Sequence, residues 1–321
     1  MKLVLLSKEH VGKTLAMPIY NENGLIFINK GKKLTERIIT KIQNIGIASF
    51  YIEDNSTDFI LEECLPSNLK NQLVKQTKAF LTESFKQQHI NQSAVLQIID
   101  TLIDNLVLSE NAILINNIAL DDTLTKLSIQ MIHQTIYAII LGLSLGLPTH
   151  RLKELAIASF LHTLNEYENV NQPHTKVTHS WIKNSTTFTA TISTSVLFAC
   201  ETVDGKGPFH KKGSEIYEYA KMIKIAHDYT SFLLAGDLPH DCLEELMAGA
   251  GTLYDLEYVK KFAQNVYCYP NGLPVVLSTG QKGVVIKQNK AFPARPIIFT
   301  DNHKIVNLEE ELTIFINQVA L

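Results

Sequence analysis

The residues able to do chemistry in this chain are a series of histidines and acids. His133 follows Gln130-Met131-Ile132, His162 sits in Ser159-Phe160-Leu161-His162-Thr163, and His179 precedes Ser180-Trp181. Glu201-Thr202-Val203-Asp204-Gly205-Lys206-Gly207-Pro208 comes next, and Ile225-Ala226-His227-Asp228 closes the series. Imidazole nitrogens and carboxylate oxygens are the groups a metal-activated hydrolysis uses. The same imidazoles, set on apolar helices, also fit hydrogen-bonded core histidines, which is the stronger reading for His179. Lys206, Lys211 and Lys212 either meet phosphates or form a solvated basic face. His89, His150, His174, His210, His240 and His303 sit in polar contexts and carry no argument. P-loop, strand-following GxGxxG and HExxH patterns are absent, which removes those generic catalytic motifs.

The elements that must position these residues are mostly helical. Leu124 to Leu145 is rich in Leu and Ile and is broken at Leu147-Pro148-Thr149; Leu152 to Leu164 and Trp181 to Cys200 read as further helices. Glu215 to Ala235 follows a Gly-rich loop, and the chain is helical again from Leu243. Upstream, LVLL, TLAMPIY and LIFINKG read as short strands, with Asn23-Gly24 as a hairpin turn. Leu34, Ile38, Ile39, Ile42 and Ile45 recur at helical spacing, with Thr35 as the cap and Gly46 as the stop, before IASFYI returns to strand. From Ser67 a helical stretch of about forty residues would present Leu69, Leu73, Thr77, Phe80, Ser84 and Phe85 on one face. The last fifty or so residues read as a β-hairpin, Leu273 to Leu277 and Val284 to Lys287, punctuated by prolines.

The order and spacing of the histidine-bearing pieces resemble the HD-GYP domain, a subset of the HD phosphohydrolases that hydrolyses cyclic di-GMP. The resemblance covers nearly the whole chain. It implies a mainly α protein: an HD-domain-like helical bundle flanked by small β-containing N-terminal and C-terminal segments. The division would be a small α+β module at 1–60, a helical connector at 61–108, the degenerate HD-GYP-like domain at 109–270, and a hairpin-containing segment at 271–321. Residue by residue, His133 matches the first ligand of the family and His162 the His of its His-Asp pair, whose Asp is Thr163 here. His179 matches the His-Pro ligand. The double His falls on Ala199 and Cys200, and the late Asp falls on His227. Glu201, Asp204, Gly205 and Gly207 are retained, while Pro208-Phe209 stands where Tyr-Pro completes the family's signature.

The family's chemistry rests on metal ions held by imidazoles and bridged by a carboxylate, with metal-bound hydroxide attacking phosphorus. Thr163 and Ala199 supply no such ligand, and Cys200 suits a soft ion rather than a hard one. The expected protein is therefore a catalytically impaired HD-GYP-like signalling protein that binds a partner protein or cyclic di-GMP without hydrolysing it. The alternative is an active cyclic di-GMP phosphodiesterase, or another phosphohydrolase, with a rearranged metal site. Ligand contacts would come from Glu201, Asp204, Gly205, Lys206, Gly207, Lys211 and Lys212. No cofactor is expected; the alternative is a single zinc or other transition metal on His133, His162 and His227. A scaffold that assembles as a homodimer through the N-terminal module and the following helix is a third reading.

Composition narrows the partners. A net charge of −3 and a pI of about 6.4 leave no electrostatic footprint for nucleic acid, and no polybasic segment points to a membrane surface. The most apolar run, Ile136 to Leu147, is about twelve residues where a spanning helix needs roughly twenty. The N-terminus turns charged too early for a signal peptide, and Cys64, Cys200, Cys242 and Cys268 lack paired spacing. A cytoplasmic protein with reduced thiols is the expectation.

Overall fold

In the computed structural model, all residues are described except 22–24, 48, 55–61, 109–111, 115–117, 119–121, 168–172 and 321. The chain divides into two compact units. The first gathers Met1–Asn71, Val107–Thr123 and Tyr267–Leu321; the second gathers Gln72–Leu106 and Leu124–Val266. The terminal segments at 1–60 and 271–321, which read as separate pieces in the sequence, therefore lie together. Leu3 N donates to Gly272 O at 2.8 Å and Tyr51 Oη to Asn271 O at 3.1 Å. These bonds join residues more than two hundred positions apart, which local patterns cannot register.

In the first unit, β1 (Lys2–Leu5) pairs antiparallel with β4 (Ser49–Ile52), while β2 (Ile19–Tyr20) pairs with β3 (Ile26–Ile28). The Asn23-Gly24 turn falls outside the described residues. Helix α1 (Glu36–Asn44) starts where Thr35 accepts a hydrogen bond from Ile38 N at 3.2 Å and ends before Gly46, whose φ of +76° needs no Cβ. Ile39 and Ile42 bury its inner face against Leu15, Leu34 and Phe50. β5 (Glu62–Glu63) runs parallel to β6 (Ala112–Ile113). The C-terminal residues make a larger structure than the expected hairpin. β7 (Pro274–Leu277), β8 (Lys282–Lys287), β9 (Ile297–Thr300), β10 (Ile305–Asn307) and β11 (Ile316–Val319) form one antiparallel sheet in the order β10-β9-β8-β7-β11. Val275, Leu277, Val285 and Ile298 form its core.

Two helices replace the single long one expected from Ser67: α2 (Ser67–Gln87) and α3 (Gln92–Asn105). The break is local, because Gln88 takes φ +50° and Asn91 caps α3 through Ala94 N at 3.1 Å. Leu73, Thr77, Phe80 and Ser84 are buried as the expected stripe, and Phe80 meets Phe160 with ring centroids 5.8 Å apart.

The second unit continues with α4 (Thr123–Ser144), α5 (Thr149–His162), α6 (His174–Ser185), α7 (Ala190–Phe198), α8 (Glu218–Ala235), α9 (Pro239–Ala248) and α10 (Leu256–Ala263). The fold is mainly α with small β segments. α4 is long and apolar enough to pass as a membrane span, yet 83% of its apolar window is buried inside the protein, as befits a core helix. The stretch from Trp181 to Cys200, read as one helix, is two. Its polar run Ser185-Thr186-Thr187 ends α6, and Thr189 caps α7 by accepting from Ile192 N at 3.4 Å.

Candidate functional site

Two helix ends and one loop bring ligand-type atoms together in the second unit. α5 ends on His162, which is 1% exposed. α6 opens on His174, and the chain leaving α7 carries Cys200. Cys200 Sγ lies 3.5 Å from His162 Nε2 and 4.0 Å from His174 Nε2. Among the described residues these three form the group of His, Cys, Asp or Glu ligand atoms that all lie within 4.8 Å of one another. His162, expected among the metal ligands, lies in this group. His174 and Cys200 stand with it, where His133 and His227 were expected.

His174 is the residue that sequence reasoning dismissed. The family pattern pointed to His179, five positions further along α6, but His179 Nδ1 meets Ser193 O at 2.8 Å and so ties α6 to α7. Pro173-His174 marks only a helix start, and the structure places the ring at the opening of α6 rather than along its flank. His133 is buried on α4, one turn beyond Gln130.

His227 lies against the cluster, its ring centroid 4.9 Å from that of His162, but its nitrogens are engaged by acids. Nδ1 is 2.9 Å from Asp228 Oδ1 and Nε2 is 3.1 Å from Glu166 Oε1. The acids are themselves occupied. Asp228 Oδ2 accepts from Lys224 Nζ at 2.9 Å and Tyr254 Oη at 2.8 Å, and Glu166 Oε2 accepts from Gln130 Nε2 at 2.9 Å. Gln130 Oε1 in turn accepts from Tyr167 Oη at 3.1 Å. The result is an alternating chain of charge in a mostly buried place: Glu166, His227, Asp228, Lys224.

This setting divides the histidines by protonation. Burial opposes charge on His227, but its hydrogen bonds to Asp228 and Glu166 outweigh it and raise its pKa to about 9. It is therefore an imidazolium at neutral pH. Burial likewise opposes ionisation of Asp228, and the bond to His227 with the Lys224 charge overcomes it, holding the carboxyl below its usual range. Burial, helped by His227, His174 and Lys224, pushes His162 well below 6.5. His174 is lowered too, chiefly by burial. Burial lifts the Cys200 thiol to about 12.

The positions that hold ligands in the resembled family are filled differently. Thr163 is fully buried and its hydroxyl accepts from Gln134 Nε2 at 3.2 Å. Ala199 is buried and brings no donor atom. With His227 closed off by two acids, a cluster of hard ions bridged by a carboxylate does not fit the residues present.

The Gly-rich loop has a structural explanation. Glu201, expected to contact ligand, is 3% exposed; its Oε1 accepts from Phe209 N at 2.7 Å and its Oε2 from Lys211 N at 2.6 Å. Both oxygens thus fold the loop back on itself. A Cβ on Gly207 would come within 2.6 Å of Glu201 Cα, and Gly205 takes φ +79°. Asp204 accepts from Thr202 Oγ1 at 2.6 Å and Lys206 N at 3.2 Å, while Lys206 Nζ pairs with it at 3.1 Å on the exposed side. Lys211 Nζ pairs with Glu215 at 3.4 Å, and Lys212 N donates to the same carboxylate at 3.0 Å.

No protein-family model and no curated protein matches this sequence. Solved structures do match. Bd1817, an HDG"Y"P protein from Bdellovibrio bacteriovorus, aligns over 81% of this chain and 97% of its own with a TM-score of 0.51 and 12% identity. A cyclic GMP-AMP specific phosphodiesterase of V. cholerae aligns over 43% of each chain with a TM-score of 0.38 and 16% identity. The match to the Bdellovibrio protein, at this identity, speaks for backbone architecture and not for chemistry, and by that architecture the chain has the fold of an HD-GYP protein.

Proposed function

We propose that this chain is a signalling protein of the HD-GYP type that binds cyclic di-GMP or a partner protein without hydrolysing it. The observation that carries the reading is His227. Where the resembled family has an acid for a metal, this chain has an imidazole with one nitrogen bonded to Asp228 and the other to Glu166. The protein supplies its own cation there, so the acids around it are neutralised internally. Thr163 and Ala199 leave two further ligand positions without a nitrogen or a carboxylate. Both the hydroxide-generating ion and the charge that steadies a phosphorane lose their anchors.

The test is hydrolysis and binding on the same preparation. The full chain, incubated with cyclic di-GMP and manganese or iron, leaves the dinucleotide intact by chromatography, while calorimetry on metal-analysed protein reads binding. Turnover above that of a variant lacking His133 and His162 overturns the proposal and establishes the rearranged-site phosphohydrolase instead. Absence of cyclic di-GMP binding leaves a partner protein as the ligand.

A further inference from the structure

We infer that His162, His174 and Cys200 form a binding site for a single zinc ion, with two imidazole nitrogens and one thiolate as its protein ligands. The site goes beyond the dinucleotide reading and shares with the resembled metal positions only His162 and the place of Cys200.

Three observations carry it. First, the spacing suits the ion. Zinc sits about 2.0–2.1 Å from an imidazole nitrogen and about 2.3 Å from a thiolate, so a tetrahedral angle separates nitrogen from sulfur by roughly 3.6 Å. The two N···S separations here are 3.5 and 4.0 Å, which brackets that value. Second, the three ligands come from different elements, the end of α5, the start of α6 and the loop after α7, so they converge on a point rather than lining one helix face. Third, His162 is under-satisfied by protein alone. The ring is fully buried, its Nε2 faces a thiol, a weak partner, and its Nδ1 has no hydrogen-bond partner among the described residues. The donor set is nitrogen and sulfur, which selects zinc over manganese or magnesium.

Binding is a ligand exchange without redox change. Zinc displaces the proton of Cys200, which leaves to solvent, and the sulfur enters as thiolate, since a coordinated thiol is deprotonated by the metal itself. Three protein ligands leave one tetrahedral position for water. His227 does not join, because each of its nitrogens already faces an acid.

The test uses zinc and cobalt alone on the full chain after chelator treatment. Competition with a chromophoric chelator is expected to give one equivalent of zinc per chain, and cobalt at the same site to show a near-ultraviolet thiolate charge-transfer band. His174→Ala weakens zinc by more than the roughly tenfold to hundredfold that loss of an outer-shell partner costs. Cys200→Ser removes the charge-transfer band, and His179→Gln changes neither readout. Circular dichroism establishes that each variant keeps its helices. If Cys200→Ser or His174→Ala fails to fold, the wild-type cobalt spectrum still decides. A spectrum without a thiolate band, zinc below one equivalent, or binding indifferent to His174→Ala overturns the assignment.

Discussion

His227 Nε2 and Glu166 Oε1 lie 3.1 Å apart, with Asp228 Oδ1 2.9 Å from the other ring nitrogen. An imidazolium thus stands between two carboxylates in a setting where its side chain is 14% exposed. Breaking a buried ion pair from one side leaves the other charge uncompensated, at a cost of about 3–5 kcal/mol. His227→Ala is expected to destabilise by that order in denaturant unfolding. His227→Asp, which restores the family's residue type, is expected to cost at least as much, because it sets a third acid beside Glu166 and Asp228. Unfolding midpoints equal to wild type for both variants would contradict the charge chain.

In the chelator-treated, zinc-free protein, the titrations of this cluster give stability a maximum in pH. His227 binds its proton more tightly folded than unfolded, so its contribution is complete below 6.5 and is lost as pH rises toward about 9. His162 and His174 are shifted the other way; their contribution is complete above 6.5 and is lost as pH falls below it. Stability should therefore peak near pH 6.5, falling on either side by up to about 1.4 kcal/mol per pH unit for each proton exchanged. His227→Gln should flatten the alkaline side and, by removing a charge that helps hold His162 and His174 down, soften the acid side as well. Urea midpoints measured from pH 5 to 9 check this, and a profile rising steadily through pH 8 contradicts it.

Gly207→Ala tests the loop. The new Cβ would meet Glu201 Cα at 2.6 Å, a backbone atom that cannot swing aside as a side chain does. A loss of about 1–3 kcal/mol is expected, as for overpacking in a close-packed interior. Thermal unfolding reads it, and a melting temperature unchanged from wild type would show that the loop yields.

If cyclic di-GMP is the ligand, its phosphates meet lysines rather than metals. Lys206, Lys211 and Lys212 all replaced by Ala should weaken binding about tenfold or more, since a hydrogen bond to a charged group contributes roughly 1.5–3 kcal/mol. Calorimetric affinity indistinguishable from wild type would put the dinucleotide elsewhere on the protein.

Helices were legible where an apolar period met a plain stop. Thr35 and Gly46 bracket α1 as read, while α4 stops at Ser144, where Gly146 turns left-handed at φ +73° ahead of the Leu147-Pro148 break that was read. The breaks that went unseen, at Gln88 and at Thr186 to Thr189, rest on single dihedrals and on hydroxyls turning to the backbone. No periodicity records either. In the site, His162 and Cys200 were reachable from family spacing. His174 was not, because a ligand at a helix start depends on the path of the preceding connection, which spacing cannot give. Glu166 escaped for a different reason: it is one acid among many until the fold sets it 3.1 Å from a histidine 61 positions away. Glu201 matches the resembled family's ligand-contacting loop, and the structure adds what spacing does not show: both its oxygens accept from backbone amides.

The first unit is assembled from three stretches of chain, and its last stretch begins at Tyr267. During synthesis on the ribosome, the N-terminal strands emerge well before Asn271 and Gly272, the residues whose carbonyls receive Tyr51 and Leu3. The helical unit, complete at Val266, finishes emerging first. The N-terminal module must then wait, with Leu3 and Tyr51 lacking those two carbonyl partners, until the C-terminal sheet is made. A truncation at Val266 would accordingly not trim an appendage; it would leave the opening module half-built, exposed to proteases and to self-association.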